Sequence, residues 1–96
     1  MADLLSDASA DGFGPDVTVI SSFASVRASG IPENTPVRAA LHWSDDGTTF
    51  EKLKDTIQED GVYPVDLPAG SGTIKAETLG IGDRPGVSID LTITFG

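Results

Sequence analysis

The chain contains no cysteine, so a disulfide framework and a thiolate metal site are both excluded, and the redox compartment stays open. It contains a single histidine, His42, whereas zinc sites usually recruit more than one and a Ser-His-Asp arrangement needs a positioned nucleophile and acid. Positive charge is scarce: six Lys or Arg stand against fifteen Asp or Glu, a formal net charge of −9. Proteins bind nucleic acid through clustered cations that displace counterions. Here Arg27, Arg38, Lys52, Lys54, Lys75 and Arg84 are scattered among acids, so no nucleic acid partner is expected, and an anionic membrane surface is disfavoured for the same reason. No apolar run approaches the ~20 residues that span a bilayer. The opening "MADLLSDASADGFG" includes Ala-Ser-Ala, but it lacks a basic segment and its apolar run is only Leu4-Leu5, so it does not read as a secretory signal. A soluble protein with no membrane partner is expected.

What is present reads as strands. Ninety-six residues fit one domain, and 39% hydrophobic with 22% charged residues is an ordinary globular composition. "PVRAALHW" sets Val37, Ala39, Leu41 and Trp43 on one side and Arg38, Ala40, His42 and Ser44 on the other. "VYPVDL" groups Tyr63, Val65 and Leu67; "TIKAET" groups Ile74 and Ala76; "VSIDLTITF" groups Val87, Ile89, Leu91, Ile93 and Phe95. Period two marks strands with one buried face. Between Val17 and Ser29 the phase shifts around "ISSFAS", which two short strands or one bulged strand would explain. Gly- and Pro-rich breakers at 30–36, 44–48, 58–61, 68–72 and 80–86 divide the rest. Only "EKLKDTIQE" (51–59) has room for a helical turn, with Leu53 and Ile57 four apart.

The expected fold is therefore all-β: a single small β-sandwich or jelly-roll-like domain of about seven strands over residues 17–96, with a closed barrel as the alternative. Residues 1–16 carry Asp3, Asp7, Asp11 and Asp16 with no positive charge and small residues between them, and read as an extended acidic N-terminal arm. Unpaired sheet edges invite association, which favours a homo-oligomer or a docked module.

The densest stretch is "LHWSDDGTTFEKL" (41–53), with the only Trp and the only His. A calcium loop needs oxygen ligands at alternating positions and a distal Glu; the adjacent Asp45 and Asp46 point opposite ways in an extended chain. Asp-Gly between alternating runs is a hairpin signal, because Gly tolerates positive φ. On this reading Trp43 and Phe50 help to fill the interior and His42 is a surface residue. "GIGDRPG" (80–86) lacks the Gly-Lys-Ser/Thr ending of a phosphate loop. No catalytic, metal or cofactor residue emerges, so a non-enzyme without cofactor is expected.

The order of these segments resembles a group of small virion proteins of tailed bacteriophages. The likeness rests on the start "MADLLSDASADGFGPDVTV" with Leu4-Leu5, the Ser44–Phe50 hairpin, "DGVYPVDLPAG" across Gly61 to Gly70, and the closing alternating strand. It spans nearly the whole chain and implies a capsid decoration or cement protein, or another head or tail accessory protein. The partners it implies are the major capsid protein or other virion proteins, with homo-oligomers, including trimers over capsid junctions, on the outer capsid surface of the virion. An acidic, Lys-poor protein suits the outside of a shell filled with DNA. A 16-residue arm reaches ~50 Å when extended. Leu4, Leu5 and Phe13 are its candidate partner-binding anchors, the alternative being a frayed terminus. The competing function is a small carbohydrate-binding module, or an immunoglobulin-like adhesion module; "SDDGTTF" also resembles the Asp-Gly turn of discoidin-like and sialidase-type domains.

Overall fold

The alternating segments pair into two antiparallel sheets. The computed structural model describes residues 2–53, 56–67, 70–82 and 84–95, and its strands are β1 (Ala2–Ala8), β2 (Gly12–Phe13), β3 (Val17–Val19), β4 (Phe23–Ser29), β5 (Arg38–Ser44), β6 (Glu51–Lys52), β7 (Gly61–Asp66), β8 (Gly72–Leu79) and β9 (Ile89–Phe95). The first sheet has the order β1-β9-β4-β7; the second has β2-β8-β5-β6, with β3 also on β8. The backbone N–H of Gly14 donates to Ala76 O at 2.8 Å, so β2 and β3 behave as one interrupted strand along β8.

The pairings are nested. β1 lies on β9, β2 and β3 on β8, β4 on β7, and β5 on β6, all antiparallel. This is a long hairpin rolled over on itself, closed by β4 on β9 and β5 on β8. With β2 and β3 counted together there are eight strands in two sheets, the arrangement of a jelly roll. The sheets remain separate, so the sandwich alternative holds over the barrel. Residues 17–96 hold the expected seven strands, β3 to β9, and the total is higher only because the N-terminal segment also pairs, as β1 and β2.

The inward positions form one core. Val37, Ala39, Leu41 and Trp43 of the second sheet face Val26, Ile89, Leu91 and Ile93 of the first, each at most 1% exposed. Fully burying a side chain of this size stabilises by roughly 1.5–3 kcal/mol. The phase shift in 17–29 is a change of sheet: β3 ends on β8, the chain crosses at 20–22, and β4 begins between β9 and β7. Among the described residues of 51–59 there is no helical turn; Leu53 N donates to Leu41 O, and Ile57 bridges Ala39 through bonds of 2.7 and 2.9 Å. Lys54 and Asp55 lie outside the described residues.

The N-terminal segment departs from the expected arm. Residues 2–8 are the edge strand of the first sheet, and Leu4 and Leu5 are 0% and 4% exposed within the chain's own core. Two neighbours cannot both face inward in a regular strand. Here β1 steps from Asp3 to Leu5 while β9 steps from Thr92 to Leu91, and from Leu5 to Ala8 while β9 moves two. Each step places one extra residue on β1, a β-bulge that rotates the strand. Asp7, in the second bulge, has φ 50° and its N–H donates to Asp90 Oδ1 at 2.9 Å. Leu4 and Leu5 therefore hold the domain together and present no surface to a partner.

All four sheet edges are blunted, each differently. β7 carries Pro64, which has no N–H to offer; β1 is bulged; β6 has two residues; and β2/β3 is interrupted at 14–16, where Pro15 sits. Edge pairing thus gives no support to self-association, and the sheet faces and loop ends are the surfaces available for contact.

Candidate functional site

The loop that joins β5 to β6 is built from its own side chains. Asp46 Oδ1 accepts from the N–H of Thr48 (2.8 Å) and Thr49 (2.9 Å) and from Ser44 Oγ (2.9 Å), and Gly47 N donates to Ser44 Oγ at 2.8 Å. Gly47 takes φ 78°, which a Cβ would oppose. The backbone N–H of Thr49 and Thr48, then the Ser44 hydroxyl, lower the Asp46 carboxyl from 3.8 to about 2, since each bond favours the ionised form. Asp45 turns the other way, accepting from Trp43 Nε1 at 2.7 Å. The two adjacent carboxylates are thus committed to different structural partners. Beside them is a cleft of about 220 Å³ lined by Trp43, Asp45, Asp46, Thr49 and Glu51. Among the described residues no three or more His, Asp or Glu are placed to hold a metal ion.

Trp43 is buried at 1%, as its register requires. Phe50 lies elsewhere than expected. It is half-buried and sits under Lys75 Nζ, 4.0 Å from the ring centroid, on the outside of the second sheet. The Phe13 ring centroid lies 4.3 Å from the same ammonium. Its ring meets His42 edge-on, with centroids 5.3 Å apart and an interplanar angle of 66°. His42 Nε2 in turn lies 3.2 Å from Glu77 Oε1, with side-chain exposures of 19% and 26%, so His42 is less open than a free surface residue.

The register explains this cluster. Phe13 pairs with Glu77, and His42 pairs with both Lys75 and Lys52, all pointing away from the core. One central-strand cation between two rings ties β2 to the end of the 45–50 loop across the sheet. A cation held by aromatic faces is stabilised by about 0.5–2 kcal/mol, depending on desolvation. Of the expected anchors, only Phe13 remains exposed, at 55%. The sequence reading missed Phe50, Lys75 and Glu77. Parity held the signal for Phe50: it is two residues before Lys52, whose side faces out.

A second cavity, about 380 Å³, lies where the chain crosses from β1 to β2, lined by residues 5, 6 and 8–15 and by Thr78. Thr78 Oγ1 is buried there without a hydrogen-bond partner among the described residues, and such a space admits water. Gly14 is required at this crossing, because a Cβ would collide with the Leu4 carbonyl. In the 80–86 loop, Ile81 N donates to Asp11 Oδ1 at 2.9 Å, so Asp11 fastens that loop to the crossing.

In comparisons with known proteins, the chain matches no family model, no curated protein and no solved structure.

Proposed function

We propose that the chain is a structural virion protein of a tailed bacteriophage: a capsid decoration protein that binds the outer surface of the head and carries out no chemistry. The observation that carries this reading is the nested jelly-roll strand order, an architecture that recurs in viral capsid proteins. A fold does not by itself assign a function. The sequence resemblance and the charge of −9, which suits the outside of a DNA-filled shell, add independent support. Contact with the shell cannot use Leu4 and Leu5, which are core residues. Among the described residues the large apolar side chain most open to solvent is Ile20, 85% exposed in the 20–22 loop, and it is the anchor on this reading.

A second reading follows from Phe13 and Phe50, two aromatic rings close together on an outer sheet face of a jelly roll, an architecture that lectin domains also use. Against it, Lys75 already covers one face of each ring. The experiment is co-sedimentation of the intact protein with mature, DNA-free capsids from its own source. Saturable binding at a fixed ratio to capsid subunits, reduced by Ile20→Asp, is expected. Absence of binding together with a hit in a glycan array would replace the virion reading with the carbohydrate one.

A further inference from the structure

The two outer sheet faces differ in chemistry. No Lys or Glu occurs in β1, β4, β7 or β9. The outward positions of this first sheet run in cross-strand rows: Asp66 beside Phe23; then Pro64, Ser25 and Thr94; then Val62, Arg27, Thr92 and Asp3; then Ser29 and Asp90. Ser and Thr at the centre keep the face flat, Phe23 and Val62 are 40% and 57% exposed, and three Asp outnumber one Arg. Cores of protein interfaces are likewise poor in Lys and Glu and use aromatic residues and Arg, although they are also poor in Asp and Ser, so the match lies in Phe23, Val62 and Arg27. The outer face of the second sheet is the converse. Arg38, Lys52 and Lys75 outnumber Glu77 there, in a chain of net charge −9, and Phe13 stands out from it.

We propose that these faces are complementary, and that the outer face of the first sheet docks on the outer face of the second sheet of another copy of this chain. The inference stands apart from the virion reading and does not need it. Pairing unlike faces sets acid against base and the exposed Phe13 against a flat face that carries Phe23 and Val62, whereas pairing like faces sets like charges together. Because the contact uses two different patches, it is head-to-tail and generates a chain or ring of copies rather than a closed twofold dimer. Four strands about 4.8 Å apart and seven residues of about 3.3 Å rise give a face on the order of 400 Å². That is about half of the ~800 Å² that each partner contributes to a standard interface, so the association is weak and emerges at high local concentration.

The test is sedimentation equilibrium of the full chain from micromolar to millimolar concentration, at low and high salt. Two variants at exposed positions accompany it: Val62→Lys blocks the acidic face and Lys52→Glu blocks the basic one, with Trp43 emission confirming that each is folded. The wild-type mass should climb beyond two copies with concentration and fall with salt, and each variant alone should associate at least about tenfold more weakly. Mixed, the two variants keep one good face each and should form a one-to-one dimer that grows no further. A wild type that stays monomeric overturns the proposal, as does a mass that saturates at two copies. Association that survives in both variants, or a mixture that forms no dimer, overturns the assignment of these faces.

Discussion

Leu4→Ala separates an integral β1 strand from a free arm more sharply than any binding experiment. Leu4 is 0% exposed and lies in the core cluster beside Leu5, Ile93 and Leu91. Removing three carbons from such a site costs about 0.8 kcal/mol each in lost transfer free energy. The residual cavity brings the expected loss to roughly 3–4 kcal/mol. A domain of this length is stable by roughly 5–14 kcal/mol in all, so one substitution removes a quarter to most of it. The midpoint of thermal unfolding should fall by about 12–30 °C. Urea unfolding followed through Trp43, the only Trp and 1% exposed, reads the change directly, and the slope against urea should stay the same. Ser9→Ala, at an exposed site in the same segment, should stay within about 0.5 kcal/mol of wild type. A Leu4→Ala loss below that same figure would refute the argument, because it would mean that β1 is undocked and the segment is an arm after all. Deleting residues 1–16, by contrast, removes β1 and β2 together and is expected to unfold the chain rather than isolate an arm.

Three further outcomes are expected. The Asp46 carboxyl is lowered from 3.8 to about 2, so the folded state holds that proton less tightly than the unfolded one; the resulting stability is present above pH 4 and is lost as pH falls toward 2. Asp46→Asn keeps an acceptor oxygen and should show a shallower loss of thermal stability across that window than wild type, measured by circular dichroism melts at successive pH values. Lys75→Met should destabilise by about 1 kcal/mol in urea, and a double-mutant cycle with Phe50→Ala should show coupling between the two positions; additive effects would disprove the clasp. Gly14→Ala should cost more than about 2 kcal/mol, because its Cβ meets the backbone of Leu4 rather than a yielding side chain. An unchanged melt for that variant would show that the crossing between the sheets is looser than described.

Much of the fold was legible because period two is a local property. Val37, Ala39, Leu41 and Trp43 fall inward as their alternation requires, and the 44–50 segment turns where Asp-Gly allows positive φ. The Leu4-Leu5 pair resisted the same logic. Leu4 and Leu5 are adjacent, so alternation assigns them to opposite faces, and only bulges against β9 bring both inside. Phe50 follows its parity with Lys52 to the outer face, and the partner it meets there was settled by Lys75, twenty-five residues away. The candidate surface was less legible than the core, since a cation clasp draws one residue from each of three distant segments.

The sequence by itself determined that the chain is all-β with a Trp-centred core, an acidic composition and a turn at Asp46-Gly47. These follow from alternation, composition and the conformational freedom of glycine. Only the tertiary structure decided that the first strand pairs with the last, that the expected arm belongs to the core, and that Phe13, Phe50 and Lys75 meet on one outer face. The reason is physical: strand pairing and register are fixed by contacts distant in sequence, and neither period nor composition records which strands become neighbours.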